Sequence, residues 1–499
     1  MALTTRYGAL AGIAAGAVAL GVGELASIPI EPRSGPLVAV SGLVIDKVPE
    51  SGKDLAISLF GTNDKLALQV GTILLLLGFA AAIGALATRR AWLGYAGIGV
   101  FGLIGLLAAV TRTGASFAWV LPTVVAIAAA MVTLYVLLNR TGQPREGSEE
   151  FDRRRFLITA GLIAGGAAVT GFGGRQLGEV TKVDQARGAI RLPGPVGPPA
   201  VLPAGADVDS LAYTVSNADF YRIDTAVLLP RIHPQNWQLR IVGRVRNPIT
   251  LTYEDVLRRP LIERYITLSC VSNEVGGDLV GNAKWLGLPL KELLEEAGVD
   301  PAADQVVSRS GDGFSAGTPT AVLLDGRDAM LAIGMNGEPL PIAHGFPARL
   351  VVPGLYGYVS ATKWVTELEL TTFADYDAYW IPRGWAQQAP IKTQSRIDRP
   401  RGGLSAGQTM IAGVAWAPHK GISKVEVQVD DGPWQVAQLA SVASVDTWRL
   451  WSLPWNATPG DHRLRVRATD NAGVTQTEER AKPIPDGATG WHEVSVHVG

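Results

Sequence analysis

Thr267-Leu-Ser-Cys-Val-Ser-Asn-Glu-Val-Gly-Gly-Asp-Leu-Val-Gly-Asn-Ala-Lys-Trp285 is the stretch on which the reading of this chain turns. It holds Cys270, the only cysteine in 499 residues. A lone thiol cannot make an intrachain disulfide, a zinc site of several cysteines, an iron–sulfur cluster or a c-type haem attachment. Two readings remain: a small buried filler, or one thiolate with one specific task. The surrounding residues favour the task. Gly276, Gly277 and Gly281 are expected to let the backbone approach a large ligand. Asn273 and Asn282 are expected to hydrogen-bond without adding charge. A single soft thiolate suits a metal whose other ligands come from a cofactor, and a metal-binding thiolate needs restricted access and surroundings that lower its pKa.

Around this stretch the pattern is mixed. Gln238–Val242, Arg349–Val352 and Trp364–Leu370 read as strands. Thr252 caps a short helix, with Asp255 three residues on. Pro289 opens, and Gly298 closes, a helix whose apolar face is Leu290, Leu293, Leu294 and Ala297. Residues 207–385 therefore read as an α+β domain. From 386 to 499 the signal changes to short alternating strands, Lys424–Val429 and His462–Ala468, with turns at Asp430–Gly432 and Asp470–Gly473. That spacing predicts a β-sandwich, with Trp434, Trp448, Trp451 and Trp455 in its core or at an interface.

Two further segments join the cysteine block: Asn336-Gly-Glu-Pro-Leu-Pro341 with His344-Gly-Phe-Pro-Ala-Arg349, and Tyr356-Gly-Tyr-Val-Ser-Ala-Thr-Lys-Trp364. Together they resemble the sulfite oxidase family of molybdopterin-dependent oxidoreductases, in motif order as well as in content. The tail is similar to that family's immunoglobulin-like dimerisation domain, in Gly413–Trp416, Val425–Val429 and Arg467–Asp470. The resemblance covers about residues 210–495 and implies molybdenum held by one molybdopterin. It implies that Cys270 ligates the metal and that His344 and Arg349 hold the pterin or its phosphate. Arginine makes paired bonds to phosphate, and histidine can donate to it. Ser360 and Lys363 fall in the segment that closes over the phosphate, Asp219, Arg222 and Ile223 in an early cofactor-contacting stretch, and Ser310 at a hydroxyl position.

One departure bears on the substrate. The resemblance implies an arginine between Gly354 and the Lys363-Trp364 pair in sulfite-oxidising members. Here Gly357–Thr362 has none and is one residue longer, with Tyr358 as the bulky, catalytic-side group. Sulfite is therefore unsupported as substrate. The expected reaction is oxygen-atom transfer on a small molecule; reduction of an oxidised substrate such as a sulfoxide is the alternative within the enzyme class, and a non-catalytic membrane-anchored binding protein the alternative outside it. No Cys-x-x-Cys-His motif or cytochrome-like histidine pair is present, so no haem is expected in this chain. Electrons must pass to or from a separate protein or the quinone pool. A homodimer through the C-terminal domain is implied by the resemblance.

The first 178 residues read as a membrane anchor. Residues 66–88, 91–111, 113–138 and 156–174 carry no charge, and 7–30 carries only Glu24. Each is near the ~20 residues that cross a bilayer. Arg89-Arg90, and Arg140, Arg145 and Arg153–Arg155, mark the cytoplasmic loops. The expectation is a multi-pass protein of the cell membrane with everything after Gly174 extracytoplasmic. Glu24 is expected to sit solvated near the outer interface. None of the six histidines lies in a span, which excludes a bis-histidine haem in the bilayer, and the scarcity of intramembrane charge argues against a transporter. Asp152-Arg153-Arg154-Arg155-Phe156-Leu157 resembles a twin-arginine export signal, ordinary positive-inside charge being the other reading. Residues 179–206, with five prolines between 193 and 203, are expected to form a stiff linker holding the outer domain off the membrane. A net charge of −1 gives no field to recruit nucleic acid.

Overall fold

The computed structural model describes residues 5–31, 34–47, 64–111, 115–139, 153–168, 174–226 and 228–499. The chain forms two compact units, Met1–Asp184 and Gln185–Gly499.

The first unit is helical: α1 (Thr5–Ser27), α2 (Pro36–Lys47), α3 (Asp64–Ala87), α4 (Ala91–Val110), α5 (Leu121–Asn139) and α6 (Arg153–Ala168). Among the described residues four helices are long and apolar enough to cross a membrane: Thr5–Ser27, Val70–Ala87, Ala91–Val110 and Phe117–Asn139. The fifth expected span is described only in part. α6 has 16 residues, about 24 Å of helix at 1.5 Å per residue, less than the ~30 Å of a bilayer core. Residues 169–173 of that expected span lie outside the described residues. α1 packs against α3 through small residues. Side chains on Gly12 or Gly84 would run into the facing backbone at Ala80 and Gly8, so glycine here permits the close helix contact that holds apolar helices together.

Glu24 is not solvated within this unit. It is 3% exposed, and its carboxylate accepts from the backbone N–H of Leu37 at 2.9 Å. The stretch after α1 contains α2, and a helix N-terminus leaves free N–H groups that a carboxylate satisfies.

The second unit begins at the end of α7 (Gly174–Ala189). Its α+β part contains β1 (Gln238–Gly243), β2 (Ile249–Thr252), α8 (Tyr253–Arg258), β3 (Ile262–Ser269), β4 (Val280–Pro289) and α9 (Leu290–Ala297). These are followed by β5 (Gln305–Ser310), β6 (Ser315–Pro319), α10 (Thr320–Leu324), β7 (Met330–Met335), β8 (Glu338–Pro339), β9 (Arg349–Val351), α11 (Gly357–Ser360) and β10 (Val365–Thr371). One sheet runs β2-β1-β10-β5-β6, with β1 parallel to β10; the other runs β3-β4-β7-β8, with β9 added to β7. The capping box at Thr252 and Asp255 is formed. In α9, Leu290, Leu293, Leu294 and Ala297 are buried, and Gly298 ends the helix at φ 68°, the left-handed conformation that glycine adopts most readily.

The C-terminal part is a sandwich of two four-stranded antiparallel sheets. Its strands are β11 (Gln394–Arg399), β12 (Gly407–Trp416), β13 (Ile422–Val429), β14 (Gln435–Val436), β15 (Gln438–Leu439), β16 (Arg449–Ala457), β17 (Gly460–Asp470) and β18 (His492–Val498). The sheet orders are β11-β12-β16-β15 and β14-β13-β17-β18. Their facing sides bury Ile411, Val425, Val427, Trp451, Leu464 and Val466. The sandwich also shares a core with the α+β part: Val414, Trp416, Trp448 and Leu450 belong to the same buried cluster as Tyr213, Leu239 and Val306. Trp448 Nε1 donates to Tyr213 O at 2.8 Å.

The proline-rich segment is not a free spacer. Residues up to Ala189 are helical, and Arg187 donates to Pro339 O and Leu340 O at 2.6 and 2.8 Å. Val196 N–H bonds to Leu261 O at 2.7 Å, Ala200 N–H bonds to Glu263 at 3.0 Å, and Ala206 is buried in the core. Proline fixes the chain extended, but the apolar residues between the prolines gain more by packing on the domain than by projecting into water.

Candidate functional site

β3 delivers Cys270, which is 9% exposed. The loop after it is tightly closed. Cys270 N–H bonds to Leu279 O at 2.9 Å, and Asn273 N–H to Cys270 O at 3.1 Å. The Asn273 side chain accepts from Leu279 N–H at 2.8 Å, while Asn282 donates to Tyr213 O at 3.0 Å. Both asparagines therefore hold backbone. The three glycines also serve packing: side chains on Gly276, Gly277 and Gly281 would meet His492, Asn273 and Phe220 respectively. The expectation that they open room for a ligand is corrected; they let three protein groups press against the loop.

Burial pushes the Cys270 thiol up, while hydrogen bonds from the Ser272 N–H and hydroxyl, and the charge of Lys363, favour the thiolate. Tyr221 lies within electrostatic reach of both Cys270 and Arg349, its phenol held neutral by burial.

Arg349 on β9 is 4% exposed. Its guanidinium makes long hydrogen bonds to backbone oxygens of His344 (3.2 Å), Leu350 (3.4 Å) and Ala361 (3.4 Å). It stands 5.1 Å from the centre of the Trp285 ring. Burial lowers its pKa to about 10. Among the described residues no carboxylate pairs with it. Lys363 is equally deep; its Nζ reaches Asp224 at 2.9 Å and Ala343 O at 3.1 Å. Burial lowers it to about 8, against the pull of Asp224. Asp224 also takes Arg222 at 2.9 Å. Arg222, Arg349 and Lys363 all bear on His344; Arg222 and Lys363 share the Asp224 carboxylate, and Arg349 has no part in it.

His344 ends a 3₁₀ turn, with Gly345 after it at φ 110°. Its Nε2 lies 2.9 Å from Asn217 O, and a carbonyl can only accept, so Nε2 is the donor. Burial and the neighbouring Arg349 lower its pKa to about 4. The ring is therefore neutral and spends its one N–H on the protein. In this neutral form the nitrogen left for a ligand is the acceptor Nδ1.

The structure thus brings together Cys270, Arg222, His344, Arg349 and Lys363. Asp219 is exposed and takes the Ser216 hydroxyl at 2.6 Å. Ile223 is 48% exposed. Ser310 Oγ accepts from Asp312 N–H at 3.3 Å. The buried Ser360 hydroxyl bonds back to Tyr356 O at 2.9 Å. Among the described residues none of these four makes a hydrogen bond or ion pair to the cationic cluster. Tyr358 donates to Ala386 O at 2.6 Å and lies 5.6 Å from Trp385, ring centre to ring centre. Sequence reasoning passed over Tyr221 and Asp224. The first lies inside, and the second beside, the run Asp219–Ile223 already singled out.

A cationic cluster with Arg349 and Lys363 buried and, among the described residues, only Asp224 to balance it fits an anion such as a cofactor phosphate, and the thiol near it is the kind of soft donor a molybdenum ion takes. Among the described residues no group of three or more His, Cys, Asp or Glu gathers to hold a metal alone, so the metal's other ligands would have to come from the cofactor.

Residues 226–380 match the model of the oxidoreductase molybdopterin binding domain. The chain is 27% identical over 325 residues to mitochondrial sulfite oxidase of Homo sapiens, covering 54% of this chain and 59% of that protein. It thus spans less than two thirds of that relative's length. It is 33% identical over 149 residues to the uncharacterized oxidoreductase YuiH of Bacillus subtilis, covering 30% of this chain and 72% of that one. Among solved structures, the sulfane dehydrogenase SoxCD from Paracoccus pantotrophus aligns with a TM-score of 0.48 at 26% identity, over 53% of this chain and 75% of that one.

Proposed function

Because this chain belongs to the sulfite oxidase family of molybdopterin-dependent oxidoreductases, we propose that Cys270 is the protein's ligand to molybdenum at an extracytoplasmic, membrane-anchored active site. The protein is a molybdenum-dependent oxidoreductase. The observation that carries the site reading is Arg349: a buried guanidinium whose hydrogen bonds, among the described residues, go only to backbone oxygens calls for an anion. The pterin phosphate supplies one. Arg349 and Lys363 hold it, with Arg222 at the edge and Asp224 orienting Lys363. His344 Nδ1 accepts from a ring N–H of the cofactor. Ser272 donates to the Cys270 sulfur and keeps the thiolate form in reach. Phe220 and Trp285, stacked edge to face at 5.8 Å, keep water from the buried side. When bound, the cofactor supplies a redox metal at which an oxygen atom passes to or from a small-molecule substrate.

Four apolar helices and the arginines between them support a multi-pass anchor with residues 140–155 cytoplasmic, and the second unit lies outside when 156–174 makes the fifth crossing. Electrons then pass to or from a separate protein or the quinone pool, and the C-terminal sandwich, read as immunoglobulin-like, offers the surface for a homodimer.

One feature favours an uncharged substrate over sulfite, with reduction of an oxidised compound such as a sulfoxide as the second reading. Gly357–Thr362 carries Tyr358 and no arginine, and Tyr358 leans on Trp385. An oxyanion entering there meets an aromatic wall instead of a counter-charge.

The test is direct. The purified full-length protein should hold about one molybdenum and one pterin per chain, and Cys270→Ser should abolish turnover and release the metal. Correctly folded protein that carries no molybdenum when produced by a host able to make the cofactor would refute the reading.

A further inference from the structure

The loop that carries Cys270 is gripped by the C-terminal sandwich. Arg396, on β11, donates from Nη1 to Gly277 O at 2.8 Å. It is aimed there by Asp398, which it meets at 2.8 and 3.2 Å and which is 3% exposed. His492, at the start of β18, accepts from Ile397 N–H through Nδ1 at 2.9 Å. That bond fixes the ring so that its opposite edge lies against Gly276, where a side chain would overlap it. Gly276 has φ 82°. The strand entering the loop is held as well: Thr267 N–H bonds to Asp446 O at 3.0 Å, and Trp448 N–H to the Thr267 hydroxyl at 2.7 Å. These contacts join the domain carrying the thiol to another part of the chain, and nothing about dimer formation requires them.

We propose that the C-terminal sandwich sets the geometry of the thiol loop, with Arg396 and His492 as positioning residues for Cys270. The sandwich is then a part of the active site's frame, whatever else it binds. The inference rests on Cys270 being the working thiol, and its test is read without cofactor. Failure of the ligand reading would show instead in the metal content of Cys270→Ser.

Because Cys270 is the only cysteine, total thiol labelling of the full-length protein reports this loop alone. Cofactor-free protein is reacted with N-ethylmaleimide under native conditions and the modified mass followed with time. Loosening the loop raises the fraction of time the buried sulfur is reachable. Arg396→Ala removes the bond to Gly277. His492→Asn keeps an acceptor for Ile397 but removes the ring edge from Gly276. Each should label at least about threefold faster than the parent, as expected for local opening. Lys424→Ala, in the same sandwich but paired with Glu426, should not. A rise below threefold in either positioning variant, or an equal rise in Lys424→Ala, overturns the proposal. If Arg396→Ala fails to fold, the His492→Asn rate decides.

Discussion

Replacing Arg349 with methionine separates the two roles a buried cation can play. In the cofactor-free protein the guanidinium is a liability. Its pKa falls from the usual 12.5 to about 10 through burial, which at about 1.4 kcal/mol per pH unit is about 3 kcal/mol of disfavoured charge. The folded state releases this proton more readily than the unfolded chain. The cost is therefore fully present below about pH 10 and fades only as pH rises toward 12.5. Against it stand three long hydrogen bonds, whose loss costs about 0.5 kcal/mol each. Arg349→Met should thus leave the cofactor-free protein as stable as the parent or up to about 2 kcal/mol more stable, a rise of up to about 4 °C for a domain of this size. The loaded protein should behave oppositely. Losing a buried charge-assisted contact to phosphate costs about 2–5 kcal/mol, at least about 30-fold in cofactor retention. The assay pairs melting of protein from a cofactor-deficient host with molybdenum analysis of protein from a competent one. A cofactor-free variant melting well below its parent, or a variant retaining full molybdenum, would refute the assignment of Arg349 to an anion.

Three other outcomes follow from the same structure. His492 is held neutral, its pKa lowered to about 4 by burial and Arg396, with Asp398 opposing and Arg480 adding to the effect. Stability present above pH 6.5 should therefore drain away as pH falls toward 4, and urea midpoints at pH 7 and 5 should differ less in His492→Asn than in the parent, His344 contributing equally to both. Tyr358→Arg supplies the missing counter-charge; with a charge-assisted hydrogen bond worth about 1.5–3 kcal/mol, sulfite should bind about 10- to 100-fold more tightly, read by titration or by inhibition of turnover, and unchanged affinity would place Tyr358 away from the substrate. Changing Arg153–Arg155 to lysines keeps the charge but removes the twin-arginine pattern. The second unit should then remain protease-protected in the cytoplasm of intact cells, and normal exposure would point to the other export route.

Much of the site was legible because its chemistry is concentrated in unusual residues: one cysteine, and an arginine and lysine inside otherwise apolar runs. The helix at Leu290–Ala297 and the strands of the sandwich follow from periodicity alone. What the sequence hid was partnership. Glu24 looked like a solvated charge because nothing in the following loop announced a helix whose free N–H groups it could cap. Asn273 and Asn282 looked available to a ligand, yet their amides are bound to backbone. Nothing near His344 in the chain announced that Asn217 O would take its Nε2. Asp224 and Tyr221 escaped notice because an acid and a phenol acquire meaning only beside a buried lysine and thiol. The proline-rich segment read as a spacer because composition reports stiffness and is silent on what an extended chain lies against.

The core shared between the α+β part and the sandwich has a consequence in time. Tyr213, Leu239 and Val306 are completed by Trp416, Trp448 and Leu450, so a ribosome that has released Cys270 must add roughly 180 more residues before the walls around it can close, about 10–40 s at cellular speeds of ~5–20 residues/s. A nascent chain threaded outward as it is made would expose that half-built interior throughout the delay. Finishing synthesis before crossing removes the exposure, and leaves His492, later in the chain than the shared core, as the last of the groups around the thiol loop to emerge.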